Sequence, residues 1–352
     1  VSPLRVLWLS PWMRSLARVY TEALVRRGVE VLLVTSDQHP ESGEARDYEL
    51  VLDPRFRTAS TWPITFTARR RIRDWEPDVV ITELVRDPRW MAFAGRTPRV
   101  QLVHDDRAHD SAEQRPLYER AVFDRWGARS AATVVFSNYV AQAAVARRDV
   151  AATRLYTVPL TSDLSPALVK PPMRAADRRD FVLIGRLNPY KNIDVVLSAW
   201  EQHVNGTGWR GDDLVLMGEG SPISRPLPKH TVWRTGSFRY SEVAGVLAAA
   251  KGSLVHYRRA SQSGVQVLSM QLGVMPIVSP VGALPEFQPP GVDPVGVDDV
   301  DTLAATFDLL ADPVIAAHQG AAAAQHYARL FSADRAAEQL LDVLNDVAGV
   351  AQ

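Results

Sequence analysis

The sequence predicts two doubly wound α/β domains in tandem, and three observations lead there. Short apolar runs alternate with helical segments through the first half of the chain. The alternation breaks once, in the proline-bearing stretch 162–180, and then starts again. Apolar strands separated by helices form a parallel sheet covered on both faces. A length of 352 residues suits two such domains.

"LRVLWLS" (4–10) reads as the first strand. "RSLARVYTEALVRRG" (14–28) follows as a helix, with Leu16, Val19, Tyr20, Ala23 and Leu24 at helical spacing and Gly28 as its stop. "VEVLLVT" (29–35), "DVVIT" (78–82), "RVQLV" (99–103), "ATVVF" (132–136) and "RLYTV" (154–158) continue the strand series. The segment "FTARRRIRDW" (66–75) sets Arg69, Arg70, Arg71 and Arg73 beside Phe66, Ile72 and Trp75. It is open to two readings, a solvated helix face or a surface for an anionic bilayer. "SDLSPALVKPPMRAADRRD" (162–180) carries three prolines and little periodic apolar content, and reads as a linker. "FVLIG" (181–185), "DLVLMG" (213–218), "GSLVHY" (252–257) and "MPIVS" (275–279) resume the strands, with helices expected over about 192–204 and 241–250. The tail from about 300 to 349 reads as alanine-rich helix. The domains are therefore expected over 1–165 and 181–330, joined by a linker at 166–180, with a last helix at 331–352 that can pack back on the first domain.

Composition excludes several functions. A formal net charge of zero argues against bulk attraction to nucleic acid. The absence of cysteine rules out disulfides, thiolate-bound zinc and thiol nucleophiles. "VSPLRVLWLS" (1–10) lacks the features of a signal peptide, and no apolar run reaches the roughly 18 residues that span a bilayer. A cytoplasmic protein is expected, in peripheral contact with the inner membrane face at most. No Gly-x-Gly-x-x-Gly follows the first strand, and neither a Walker loop nor Gly-x-Ser-x-Gly occurs. Nicotinamide dehydrogenases, P-loop ATPases and α/β-hydrolases are thereby disfavoured.

Open α/β sheets bind ligands beyond the carboxyl ends of their strands, so motifs there matter most. In "FVLIGRLNPYKN" (181–192), Gly185 permits a close turn, Arg186 offers a bidentate fork and Lys191 a mobile point charge. Asn192 is placed to cap the helix that follows. The set suits a phosphate or diphosphate, or else two solvated cations near a turn. In "SQSGVQVLSMQLG" (261–273), Ser261, Gln262, Ser263 and Gly264 form a small polar loop before a helix, which suits phosphate or an ordinary cap. "VHDDRAHD" (103–110) ends a strand with His104, Asp105, Asp106, His109 and Asp110, open to acid–base chemistry, a metal site or a polar loop, though the spacing is not that of a known zinc motif. "LVLMGEGS" (214–221) runs a strand into a glycine loop at Gly218, a weak signal alone.

The order of these motifs is more specific than any one. "IGRLNPYKN", then "LVLMGEG", then "VWRTGSFRYSEVAGVLAAAKGSLVHYRRASQSGVQVLSMQLGVMPIVSPVGALPE" resembles the donor half of a retaining glycosyltransferase of family GT4. The resemblance is good over 181–286 and weaker over 1–160, where "LVHDD" and "VVFSNYVAQ" carry it. It implies a GT-B fold, two Rossmann-like domains facing across a cleft. It implies that Arg186 and Lys191 grip the nucleotide diphosphate of a nucleotide-sugar donor, with Gly185, Gly218 and the loop Ser261, Gln262, Ser263, Gly264 and Val265 around it. It implies that His104 touches the sugar and that Asp105 orients His104 or contacts the acceptor. The family's two donor-loop glutamates, one on the sugar and one on the ribose, are replaced here by Ser261 and Ser269. The family's glycine pair after the first strand is replaced by "SPWMRS" (10–15).

The implied reaction moves a sugar from a nucleotide-diphosphate donor to an acceptor hydroxyl of a small molecule, glycan or lipid-linked compound, with retention. It belongs to glycan, natural-product or glycoconjugate biosynthesis. No enzymic nucleophile, metal or further cofactor is required. Two other readings stand beside it: a binding or scaffold protein on the same fold, which the two serines favour, and a sugar-nucleotide epimerase.

Overall fold

A computed structural model describes residues 2–36, 43–53, 55, 58–105, 120–147, 154–220, 223, 225–236 and 238–351. The chain forms two compact units, Val1–Pro166 with Ala333–Gln352, and Ala167–Ser332.

In the first unit the described strands are β1 (Arg5–Ser10), β2 (Glu30–Ser36), β3 (Glu49–Leu52), β4 (Val79–Glu83), β5 (Arg99–Val103), β6 (Ala132–Val135) and β7 (Leu155–Thr157). All pair in parallel, in the order β3-β2-β1-β4-β5-β6-β7. The chain leaves β1 in one direction and returns on its other side as β4. The topological switch point, where such sheets take their ligands, therefore lies between β1 and β4. The helices α1 (Arg14–Val25), α2 (Trp62–Trp75), α3 (Pro88–Ala94) and α4 (Asn138–Ala146) flank the sheet. Leu7, Leu9, Leu32, Val34 and Val80 pack against Trp90, Phe93 and Ile72 to form a core on one face.

In the second unit β8 (Phe181–Ile184), β9 (Leu214–Met217), β10 (Thr231–Arg234), β11 (Gly252–Val255) and β12 (Pro276–Val278) form a parallel sheet of order β10-β9-β8-β11-β12. Its switch point lies between β8 and β11. The helices are α5 (Ile193–Asn205), α6 (Tyr240–Ala248), α7 (Gly264–Gln271), α8 (Val300–Leu310) and α9 (Pro313–Leu330). Phe181, Trp200 and Phe307 meet edge to face in the core, with ring centroids 4.9 to 5.7 Å apart.

Two expectations change. The tail is three helices, not one. Asp312, followed by Pro313, caps α9 by accepting from the N–H groups of Val314 and Ile315. A second break precedes α10 (Ala333–Ala351), which belongs to the first unit and packs on α1, with Asp334 pairing to Arg26 and Arg27. Residues 167–180, read as linker from their prolines, are tied to the second unit. Arg178 is buried and donates to the Ala250 and Gly273 carbonyls at 2.9 and 2.6 Å.

Candidate active site

The second unit brings its predicted residues to the switch point. The buried apolar strand β8 delivers Gly185, which turns in the left-handed region at φ +96°. Gly218, at the end of β9, packs so closely that a Cβ there would overlap the Gly185 carbonyl oxygen. Gly220 bridges to Leu187. Gly218 thus makes room for the Gly185 turn and Gly220 for Leu187, roles their weak motif did not reveal.

Lys191 ends a 3-10 turn, Pro189–Lys191, and is buried. Its ammonium donates to the Ile184 carbonyl at 2.8 Å and to the Tyr257 hydroxyl at 3.0 Å, and lies 4.6 Å from the Tyr257 ring centroid. Among the described residues no carboxylate pairs with it. Burial pushes its pKa down to about 8, and the like charge of Arg186 adds to the depression. Tyr257, which the sequence did not single out, is itself buried, and burial raises its hydroxyl to about 12. It therefore stays a neutral partner for Lys191. Arg186 is exposed.

Asn192 occupies the first position before α5 with φ 55°, but its side chain makes no cap. It donates instead to the Val297 carbonyl at 2.6 Å and meets His256 Nδ1 at 3.2 Å. The capping role expected of it is corrected accordingly. The cap that does form is on α7: Ser263 Oγ accepts from the Gln266 N–H, and Gly264 begins the helix exposed, with open space around its Cα. The first N–H groups of α7, from Gly264 and Val265, have no partner within the helix. Ser261 is buried beside this turn, and Gln262 carries a buried, unpartnered Oε1.

Ser269 lies elsewhere. It is fully buried on α7, where its hydroxyl donates to the Val265 carbonyl at 2.6 Å and pairs with Ser253 of β11 at 2.9 Å. The ribose contact that the resemblance implies is not the use made of this hydroxyl, which joins helix to strand.

In the first unit His104 follows β5, buried at 7% exposure. Its Nε2 lies 2.6 Å from Glu83 Oε1, and its ring lies 4.8 Å from that of Phe136. Trp8 Nε1 donates to the other Glu83 oxygen at 3.2 Å. Burial works against a charged imidazole, but Glu83, with Asp105 behind it, raises the His104 pKa above its usual value. Glu83 and Trp8 escaped the sequence reading, since one acid closing an apolar strand carries no motif. Asp106, His109 and Asp110 lie outside the described residues. Arg14 of the "SPWMRS" loop is not free for a ligand. It and Arg18 bind Glu49, whose carboxyl they hold down to about 2 in spite of its burial.

A family model described as Glycosyltransferase Family 4 matches residues 15–165, and one described as Glycosyl transferases group 1 matches residues 178–312. The chain is a family 4 glycosyltransferase. The enzyme is similar in fold to sucrose-phosphate synthase from Thermosynechococcus elongatus, with TM-score 0.71 and 17% identity over 99% of this chain and 100% of that one. It is similar to Anabaena HepE in complex with UDP, with TM-score 0.65 and 13% identity over 97% and 100% of the two chains. It is also similar to the lipopolysaccharide outer core galactosyltransferase WaaB, with TM-score 0.60 and 11% identity over 97% and 99%. No curated protein matches the sequence. These likenesses establish a GT-B fold built on two parallel sheets. As a member of this family the enzyme takes a nucleotide-sugar donor and transfers the sugar with retention. The scaffold and epimerase readings fall away with that assignment.

Proposed function

We propose that the diphosphate of the donor is held at the β8–β11 switch point by Arg186, Lys191 and the first N–H groups of α7, and that His104 acts on the donor sugar. The observation that carries this is Lys191. A buried ammonium with no carboxylate beside it among the described residues lacks a counter-charge, and a nucleoside diphosphate supplies one. HepE has been obtained with UDP, which makes UDP the first nucleotide to test. The acceptor oxygen bonds to the anomeric carbon as the bond from that carbon to the diphosphate oxygen breaks. The acceptor's proton passes to that departing oxygen. Orientation and stabilisation of the leaving charge then supply most of the rate.

The resemblance implies a carboxylate on the sugar hydroxyls at the position of Ser261, so a donor other than a glucose sugar is proposed. A panel of nucleotide sugars scored for transfer or donor hydrolysis tests this, and efficient use of UDP-glucose refutes it. In the same assay His104→Ala should cut turnover by about tenfold or more while calorimetric affinity for the bare nucleotide changes little. An equal loss of nucleotide affinity would make His104 a structural residue.

A peripheral contact between α2 and an anionic membrane surface is proposed. No helix among the described residues is long and apolar enough to cross a membrane. Trp62, Ile64 and Phe66 are nonetheless exposed at the start of α2, and Phe66, Arg69, Arg70 and Arg73 line a recess of about 420 Å³. Exposed rings beside arginines suit an anionic lipid surface. The protein should sediment with vesicles containing phosphatidylglycerol and not with pure phosphatidylcholine, and Phe66→Ser with Arg70→Ser should abolish the difference. Equal sedimentation with both vesicle types would refute the contact.

A further inference from the structure

We infer that Glu83 is a positioning residue for His104: it takes the Nε2 side of the imidazole and leaves Nδ1 as the side that meets substrate. The inference rests on the reading of His104 given above. The three groups involved come from adjacent strands of the first sheet. Trp8 lies in β1, Glu83 is the last residue of β4 and His104 is the first after β5. Leu9 pairs with Thr82, and Glu83 with Leu102. The register therefore sets Glu83 and His104 at the carboxyl ends of their strands beside the switch point, with Trp8 two residues before the end of β1.

Glu83 is fully buried and cannot be a surface acid. Its two oxygens have different partners, His104 Nε2 at 2.6 Å on one and Trp8 Nε1 at 3.2 Å on the other. Trp8 is fully buried too, so it fixes the carboxylate, and the carboxylate fixes the ring. Phe136 closes the imidazole face at 4.8 Å. A ring held in this way presents one nitrogen, Nδ1, to a ligand. Among the described residues, the charged groups acting on His104 are Glu83 from β4 and Asp105 from its own loop. Trp8 and Phe136 bring no charge. Two carboxylates and no cation favour the imidazolium, so Nδ1–H donates to a sugar hydroxyl or phosphate oxygen and does not act as a base.

The test pairs nuclear magnetic resonance with kinetics. The His104 ring signal is assigned by its loss in His104→Gln and titrated in the parent, Glu83→Asp and Glu83→Gln. Glu83→Gln keeps shape and hydrogen bond but removes the charge. The His104 pKa should drop by about one unit or more in Glu83→Gln and by less in Glu83→Asp. With the donor that the parent uses, kcat should fall about tenfold or more in Glu83→Gln, with KM changed less than about threefold. The alkaline limb of kcat should move to lower pH, because the active, protonated imidazole is lost earlier. Glu83→Asp should recover part of the rate, and it decides the matter alone if Glu83→Gln does not fold. An unchanged His104 titration in the folded variants, or kcat equal to the parent's, overturns the positioning role. If His104→Ala leaves turnover intact, the reading of His104 itself fails, while the titration still shows whether Glu83 holds the ring.

Discussion

Lys191→Ala is expected to lower affinity for a nucleoside diphosphate about ten- to a hundredfold at pH 7, the worth of one charge-assisted contact of roughly 1.5–3 kcal/mol. Its dependence on pH separates this residue from Arg186. In the free protein burial has pushed the Lys191 ammonium down to about 8. A bound phosphate needs the protonated form and raises that value. Affinity in the parent should therefore be greatest below pH 8 and fall by up to about tenfold per unit above it. Binding near pH 8 to 9 should take up a proton, which calorimetry reads by comparing buffers of different ionisation enthalpy. Lys191→Ala should lose this dependence along with affinity. Arg186→Ala should lose affinity and keep the dependence, since a guanidinium does not titrate in that range. The same depression makes Lys191 a cost to folding below pH 8, relieved as pH rises toward the unfolded value, because the unfolded chain then holds the extra proton. Equal binding of UDP, GDP and TDP by the parent and both variants would place the donor elsewhere.

What the sequence revealed follows from how each feature is held. Buried central strands such as "FVLIG" and "LVLMG" are apolar throughout and easy to read, and so are the cations that follow the first of them. The edge strands β3 and β10 went unread. Each is four residues long and mixes polar with apolar residues: "ELVL" opens on Glu49, which is buried against Arg14 and Arg18, and "TVWR", at the sheet edge, alternates half-buried with exposed positions. The break in the alanine-rich tail at Asp312-Pro313 was legible in principle, since an aspartate before proline is a helix start. Long-range partners were not legible. Nothing near Glu83 announces Trp8, 75 positions away, and nothing near Lys191 announces Tyr257, 66 positions away. Parallel sheets bring such residues together through crossovers, so only the strand order reveals them. Asn192 was read by local rules and misplaced for the same reason, because its partners Val297 and His256 are distant in the chain.

Ser269→Glu should destabilise the protein without improving nucleotide binding. The resemblance to family 4 makes this replacement look restorative, because it implies a glutamate at the position. The surroundings of Ser269 argue otherwise. The residue has no exposed surface, and Val265 and Ser253 already use its hydroxyl. Its neighbours on α7, Val267, Leu268 and Met270, are buried as well. A glutamate would drive its extra atoms into a packed helix–strand contact and would bury a carboxylate whose partners there, Ser253 and the Val265 carbonyl, carry no positive charge. Overpacking costs typically about 1–3 kcal/mol, and an unpaired buried charge about 3–5 kcal/mol. The melting temperature should fall by on the order of 10 °C. Ser269→Ala is the partner experiment. It removes only the hydroxyl, costs about 1 kcal/mol, and should leave UDP affinity unchanged if that hydroxyl serves packing and not ribose. A Ser269→Glu protein that melts with the parent and binds UDP more tightly would show that the side chain reaches the nucleotide. A tenfold loss of affinity in Ser269→Ala would show the same.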